Sequence, residues 1–137
     1  MPDMDYAKEW IRYAERDYAV ALHLSETFCP LSTENICYSC QQSIEKSLKA
    51  ILAYNEADIP KTHDIVLLYE LCQKHTKDIE IDIKIAGVIS RYAITSRYPD
   101  NVYDFTQEDA ELGLKYAKQI LDKVKIIIDP PTDNTQE

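Results

Sequence analysis

Lys61 and His63 flank Thr62 in a tight polar turn, PKTHD, and Asp64 follows at the start of an apolar segment. A histidine beside a lysine at a helix N-terminus can serve an anion such as phosphate, because free N–H groups and the helix dipole both favour negative charge there. The same histidine can instead donate to a loop carbonyl and brace the corner. A second group lies further on, where Arg91 and Arg97 are each followed by a tyrosine, Tyr92 and Tyr98. Guanidinium forks bind phosphate bidentately, and tyrosine rings stack on bases. Ion pairs with an acidic surface and packing of the tyrosines in the core would use the same residues. Lys61, His63, Arg91, Arg97 and Tyr98 are therefore the candidate binding residues, for a nucleotide or phosphate. Asp17, Asp64 and Asp100 are the candidate structural polar residues.

Other chemistry has no carrier. There is no G-x-x-x-x-G-K, no G-x-G-x-x-G and no H-E-x-x-H, and two glycines, Gly87 and Gly113, could not build either glycine motif. Cys37 and Cys40 form a C-x-x-C, but no second C-x-x-C or H-x-x-H completes a zinc site. With Cys29 and Cys72 they read as free structural thiols. We assign no catalytic residue, no metal ligand and no cofactor.

The elements that position these groups read as helices. Ile36, Cys37, Cys40, Ile44, Ser47, Leu48 and Ile51 fall on one arc of a helical wheel, and Tyr38, Gln42, Glu45, Lys46 and Lys49 on the other. Small residues among the large apolar ones allow close approach, so this segment is expected to be the central helix. It begins near Ser32 or Thr33, either of which can cap it, and runs to about Asn55. An earlier helix spans about Asp5 to Glu26, with Tyr6, Trp10, Tyr13, Ala14, Ala21 and Leu24 on the inner face and Asp17 in their midst. That carboxylate needs a Lys, Arg or loop amide as partner if it is structural, and otherwise is a pocket acid. Asp64 caps a short third helix. The alternating run IEIDIKI, residues 79–85, imitates a strand, yet its register continues through Val88, Ile89 and Tyr92 as a helix from about Ile81 to about Ile94. Thr106 and Asp109 form a capping-box variant that opens the last helix, and Pro130 and Pro131 stop it. The expected fold is all-α, an up-and-down bundle of four to five helices. One domain covers 1–129, and 130–137 is a disordered polar tail.

Composition narrows the function classes. The net charge is −9, which argues against a broad nucleic-acid surface but not against a small basic pocket. It also suits a basic protein partner. No apolar run approaches the about 20 residues of a membrane span, and MPDMDYAKEW lacks the apolar stretch of a secretory signal. A cytoplasmic protein without membrane contact is the expectation.

Four segments in order, WIRYAERDYAVAL, QQSIEKSLKAIL, PKTHDI and TSRYPD, carry a resemblance. Together they resemble the HEPN family of small bacterial and archaeal helical proteins, from about Tyr6 to about Val124. The resemblance implies a helical bundle similar to the C-terminal domain of kanamycin nucleotidyltransferase. It also implies a homodimer, and a minimal nucleotidyltransferase as partner in a toxin–antitoxin-like two-component system. It places the RYPD segment beside the central groove of the dimer, so Lys61, His63, Arg91, Arg97 and Tyr98 are expected to meet at one end of the bundle.

One branch of that family consists of metal-independent RNases, marked by an Arg and a His with four to six residues between them. Here Arg97 stands where that His would follow Arg91, and arginine cannot act as a general base. Arg16 and His23 match the spacing only on the solvent face of the first helix, the wrong element. The reading is thus a non-catalytic nucleotide- or nucleic-acid-binding module. The alternative is a HEPN RNase toxin, an endoribonuclease using Arg91 or Arg97 for phosphate and His63 as base. A scaffold without ligand is the third possibility.

Ten tyrosines are more than one small core needs, and tyrosine is enriched at interfaces. Together with the resemblance this predicts a homodimer: light scattering at high micromolar concentration should give twice the chain mass, and a monomer would refute it.

Overall fold

The computed structural model describes residues 2–27, 32–95 and 105–131. Its five helices are α1 (Met4–Glu26), α2 (Thr33–Tyr54), α3 (Ile65–Gln73), α4 (Ile83–Thr95) and α5 (Gln107–Ile128). No strand occurs among the described residues. Arg97, Tyr98 and Asp100 lie outside them, as do Cys29 and the segment 132–137 of the expected tail.

Local chemistry sets the helix ends. Asp3 accepts from the Tyr6 amide at the start of α1. Asp64 accepts from the amides of Val66 and Leu67 at the start of α3. Thr106 and Asp109 exchange both bonds of a capping box before α5. Ser32 occupies the N-cap of α2 but makes no side-chain capping bond. Beyond Tyr54, Glu56 takes a positive φ of 55°, and the Ala57 and Glu56 amides reach back to the carbonyls of Leu52 and Ala53. That is a Schellman closure, and it turns the chain toward the Lys61–Asp64 corner.

The alternating isoleucines do not pair as a strand. Ile79 and Ile81 are buried in an irregular connector, which Gln73 pins by donating to the Ile79 carbonyl. The helix begins at Ile83, two residues later than its register suggests, because Asp82 caps it by accepting from the Lys84 amide.

Helix α2 packs against all four others, and no residue from Ile36 to Ala53 is exposed. Small side chains make that enclosure possible. Ala7, Ala14 and Ala21 are fully buried on α1, and Ser43 of α2 donates to the Ala14 carbonyl at 2.8 Å. On the other side Gly113 of α5 lies over Cys40, where an added Cβ would stand 3.0 Å from the Cys40 Cβ. Tyr92 of α4 is buried against Phe105 and its hydroxyl donates to the Asp109 carbonyl, tying α4 to α5.

The face of α1 differs from the one expected. Its buried stripe is Ala7, Ile11, Ala14 and Ala21, while Tyr6 and Tyr13 are among the exposed large residues. The expected Ala14 and Ala21 do face inward and Trp10 and Leu24 pack against the core, but Ala7 and Ile11 complete the stripe in place of Tyr6 and Tyr13. The guanidinium groups of Arg12 and Arg16 stand 5.5 and 5.2 Å from the Tyr13 ring centre instead. Asp17 stands half-buried at the edge of the stripe, paired with Lys46 of α2 at 2.6 Å.

Enclosure also governs the thiols. Burial pushes Cys40 and Cys72 from an ordinary 9.0 up to about 12. Burial first and Cys40 second raise Cys37 as well. Cys72 donates its S–H to the Leu48 carbonyl. Thiols that hold their protons longer in the folded chain stabilise it fully below pH 9.0, and that contribution is lost as pH climbs toward about 12. The urea midpoint should therefore fall above pH 9.0, and a Cys40→Ala/Cys72→Ala variant should fall less steeply. Equal slopes would contradict the assignment.

Candidate functional site

The Lys61–Asp64 corner is fastened to two helices. The Thr62 hydroxyl accepts from the Asp64 amide. The Ile65 amide donates to Ser90 Oγ of α4 at 2.7 Å. The Gln41 side-chain amide of α2 donates to the His63 carbonyl at 3.0 Å. One turn along α2 from Gln41, Glu45 Oε1 stands 2.7 Å from His63 Nδ1. Backbone and ring of His63 are thus both held from the same helix.

Behind the histidine lies a buried polar ladder. The Glu45 and Lys49 side chains are 5% and 8% exposed, and Lys49 Nζ donates to Glu45 Oε2 at 2.9 Å. Gln41 donates to Glu45 Oε1 as well, at 3.3 Å, and Gln42 donates to Gln41 Oε1 at 2.7 Å. Lys49 Nζ sits 5.6 Å from the centre of the Trp10 ring of α1, a cation–π distance. Trp10 Nε1 and Ser47 Oγ are buried without a hydrogen-bond partner among the described residues. Gln41, Glu45 and Lys49 recur every fourth residue, so one stripe of α2 runs from Trp10 to the His63 corner.

This ladder corrects the helical-wheel reading, which set Glu45 and Lys49 on an outer arc. An i,i+4 Glu–Lys pair ordinarily marks a solvated face. Here α1 and the α2–α3 corner both cover that face, and no local spacing announces it. The one sequence hint is Gln41, a polar residue among the arc of cysteines and isoleucines.

In front of His63 an open cleft of about 540 Å³ is lined by Lys61, Thr62, His63, Asp64, Val66, Gly87 and Ser90. The His63 side chain is 46% exposed there. Lys61 is exposed and has no ion-pair partner among the described residues. The first turn of α3 does not add an anion site. Asp64 already takes the amides of Val66 and Leu67, Ser90 takes that of Ile65, and the Asp64 carboxylate repels a second negative charge. Arg91 is exposed on α4, one residue beyond the cleft-lining Ser90, and does not itself line the cleft. Lys61 and His63 thus share a cleft, and Arg91 stands on the helix that forms its far wall.

No cluster of His, Cys, Asp and Glu among the described residues could hold a metal ion. No described helix is long and apolar enough to cross a membrane. What the site offers is one cation, one carboxylate engaged in capping, one oriented imidazole and hydroxyl groups: hydrogen bonding and proton transfer.

The chain as a whole is similar to known proteins. The family model described as HEPN domain matches residues 7–127. A protein of Methanocaldococcus jannaschii named "Putative toxin MJ1304" is 30% identical, over 90% of this chain and 88% of its own length. The crystal structure of TT1696 from Thermus thermophilus superposes with a TM-score of 0.69 at 24% identity, covering 87% of this chain and 95% of that one. That of ST0689, described as an archaeal HEPN homologue, superposes with a TM-score of 0.68 at 27% identity, covering 90% and 98%.

The ladder makes a stability prediction. Removing one member of a buried ion pair leaves the other uncompensated, at a cost of about 3–5 kcal/mol. Glu45→Ala should lose that much in urea unfolding, while Glu45→Leu/Lys49→Met should recover most of it. His63→Ala, at a part-exposed ring, should cost about 1 kcal/mol. A Glu45→Ala variant no less stable than His63→Ala would show that the ladder is not a buried charge pair in solution.

Proposed function

Because the chain belongs to the HEPN domain family, we propose that it is the HEPN component of a toxin–antitoxin-type pair whose cleft at the α2–α3 corner binds the phosphate-bearing end of a nucleotide or RNA. The observation that carries the binding site is the shared placement of Lys61 and a back-anchored His63 on one open cleft. The relative named as a toxin, aligned over 88% of its length, supports the two-component setting. A homodimer and a minimal nucleotidyltransferase partner rest on the family resemblance, and the exposed Tyr6, Tyr13 and Val20 of α1 offer apolar surface for such contacts. In this reading 1–129 is one domain working in the cytoplasm. Arg91, Arg97 and Tyr98 extend the contacts to phosphate and base.

A second reading, metal-independent RNA cleavage, is favoured by the Glu45–His63 contact. A buried carboxylate on Nδ1 leaves Nε2 facing the cleft, which is how a general base is oriented. An RNA incubated with the protein in excess chelator would then yield new 5′-hydroxyl ends, and intact RNA would exclude it.

Binding is tested by titrating labelled nucleotides and short RNAs. A phosphate contact from an exposed lysine is a charge-assisted bond worth about 1.5 kcal/mol. Lys61→Ala should therefore weaken binding about tenfold and flatten its salt dependence, with helicity unchanged. If the wild type binds none of the probes, the cleft is not a phosphate site. Co-expression with the product of the neighbouring reading frame, followed by co-purification, tests the pairing.

A further inference from the structure

We infer that Glu45 makes His63 a hydrogen-bond acceptor toward the cleft, so that the site selects a ribonucleotide by one of its ribose hydroxyls rather than taking any phosphate. The inference rests on the reading of the cleft as a nucleotide site and names what that site discriminates.

An ionised carboxylate only accepts hydrogen bonds, so the 2.7 Å contact between Glu45 Oε1 and His63 Nδ1 requires the hydrogen on Nδ1. A neutral imidazole carries one N–H. With Nδ1 protonated, Nε2 on the opposite edge bears a lone pair and has no partner among the described residues. The choice is enforced from behind. Lys49 holds Oε2 at 2.9 Å and Gln41 donates to Oε1, so the carboxylate cannot turn away. Gln41 also fixes the His63 carbonyl at 3.0 Å, so the ring cannot swing out with its backbone.

A bare Nε2 cannot donate to an ionised phosphate oxygen. It pairs with a group that brings its own proton, a hydroxyl. Lys61, on the same corner, is the group suited to phosphate. A ligand that presents both at neighbouring positions is a ribonucleoside phosphate, whose sugar hydroxyls stand within a few bonds of the phosphate. A deoxyribose lacking the hydroxyl that is read would leave Nε2 with water alone.

The test compares AMP, 2′-deoxy-AMP, 3′-deoxy-AMP and inorganic phosphate by titration against the wild type and Glu45→Gln. Loss of one hydrogen bond at a half-exposed ring predicts about tenfold weaker binding for one of the two deoxy analogues. In Glu45→Gln the amide oxygen stays with Lys49, and the NH₂ turns toward Nδ1 at the cost of the weak bond that Gln41 makes to that position. The hydrogen then moves to Nε2, and the preference for AMP over that analogue should vanish while phosphate-dependent binding stays. Nitrogen-15 NMR of the wild type reads the tautomer directly and does not depend on the variant folding: a protonated Nδ1 and a bare Nε2 are expected for His63. Equal binding of AMP and both deoxy analogues, or a wild-type ring protonated on Nε2, overturns the inference and leaves a phosphate site standing. If neither AMP nor phosphate binds, the reading of the cleft has failed, and this inference with it.

Discussion

The buried Glu45–Lys49 pair is the constraint around which the bundle is arranged. Two charges removed from water are tolerated only when each is paired and its remaining hydrogen-bonding capacity is used. Glu45 meets Lys49 on one oxygen, and His63 and Gln41 on the other. Lys49 is covered by the ring of Trp10. Satisfying this pair therefore engages three separate parts of the chain: the first helix, the central helix and the corner before the third.

Enclosing α2 on all sides sets the rest. A helix with no exposed residue over most of its length needs neighbours on every face, and close neighbours need small side chains where the axes approach. The alanines of α1 and Gly113 of α5 supply them. The thiols of α2 fill the same role as small apolar groups, which is consistent with their buried, protonated state. The C-x-x-C is thus a packing device inside the core, and its spacing reflects one helical face.

The same arrangement divides the corner into a rigid back and an open front. From behind, α2 grips His63 by carbonyl and ring, and from the side, Ser90 of α4 takes the first amide of α3. In front, the imidazole edge and Lys61 have no protein partners among the described residues. Asp64 spends the N-terminal donors of α3 on capping. The cleft is therefore no generic anion hole: it presents one cation and one oriented ring beside a helix start whose amides are already taken.

Much of the architecture was legible in the sequence, because helices are announced by local chemistry. Periodicity marked the helices, Asp64 and the Thr106–Asp109 pair declared the starts of two of them, and the alternating run at 79–85 is no strand, although it turns helical only from Ile83. The order of four short segments was enough for the family. Burial was less legible. Whether Glu45 faces water depends on how many neighbours surround α2, and those neighbours are far away in the chain. The same non-local choice turned the alanines of α1 inward and left Tyr6 and Tyr13 outside. Lys61 and His63 were visible as candidates because residue type and position beside a helix start suggest chemistry. Glu45, Lys49 and Gln41 were not, because the ladder behind the histidine exists only once α1 and the corner have closed over one face of a helix that, read alone, has a wet side.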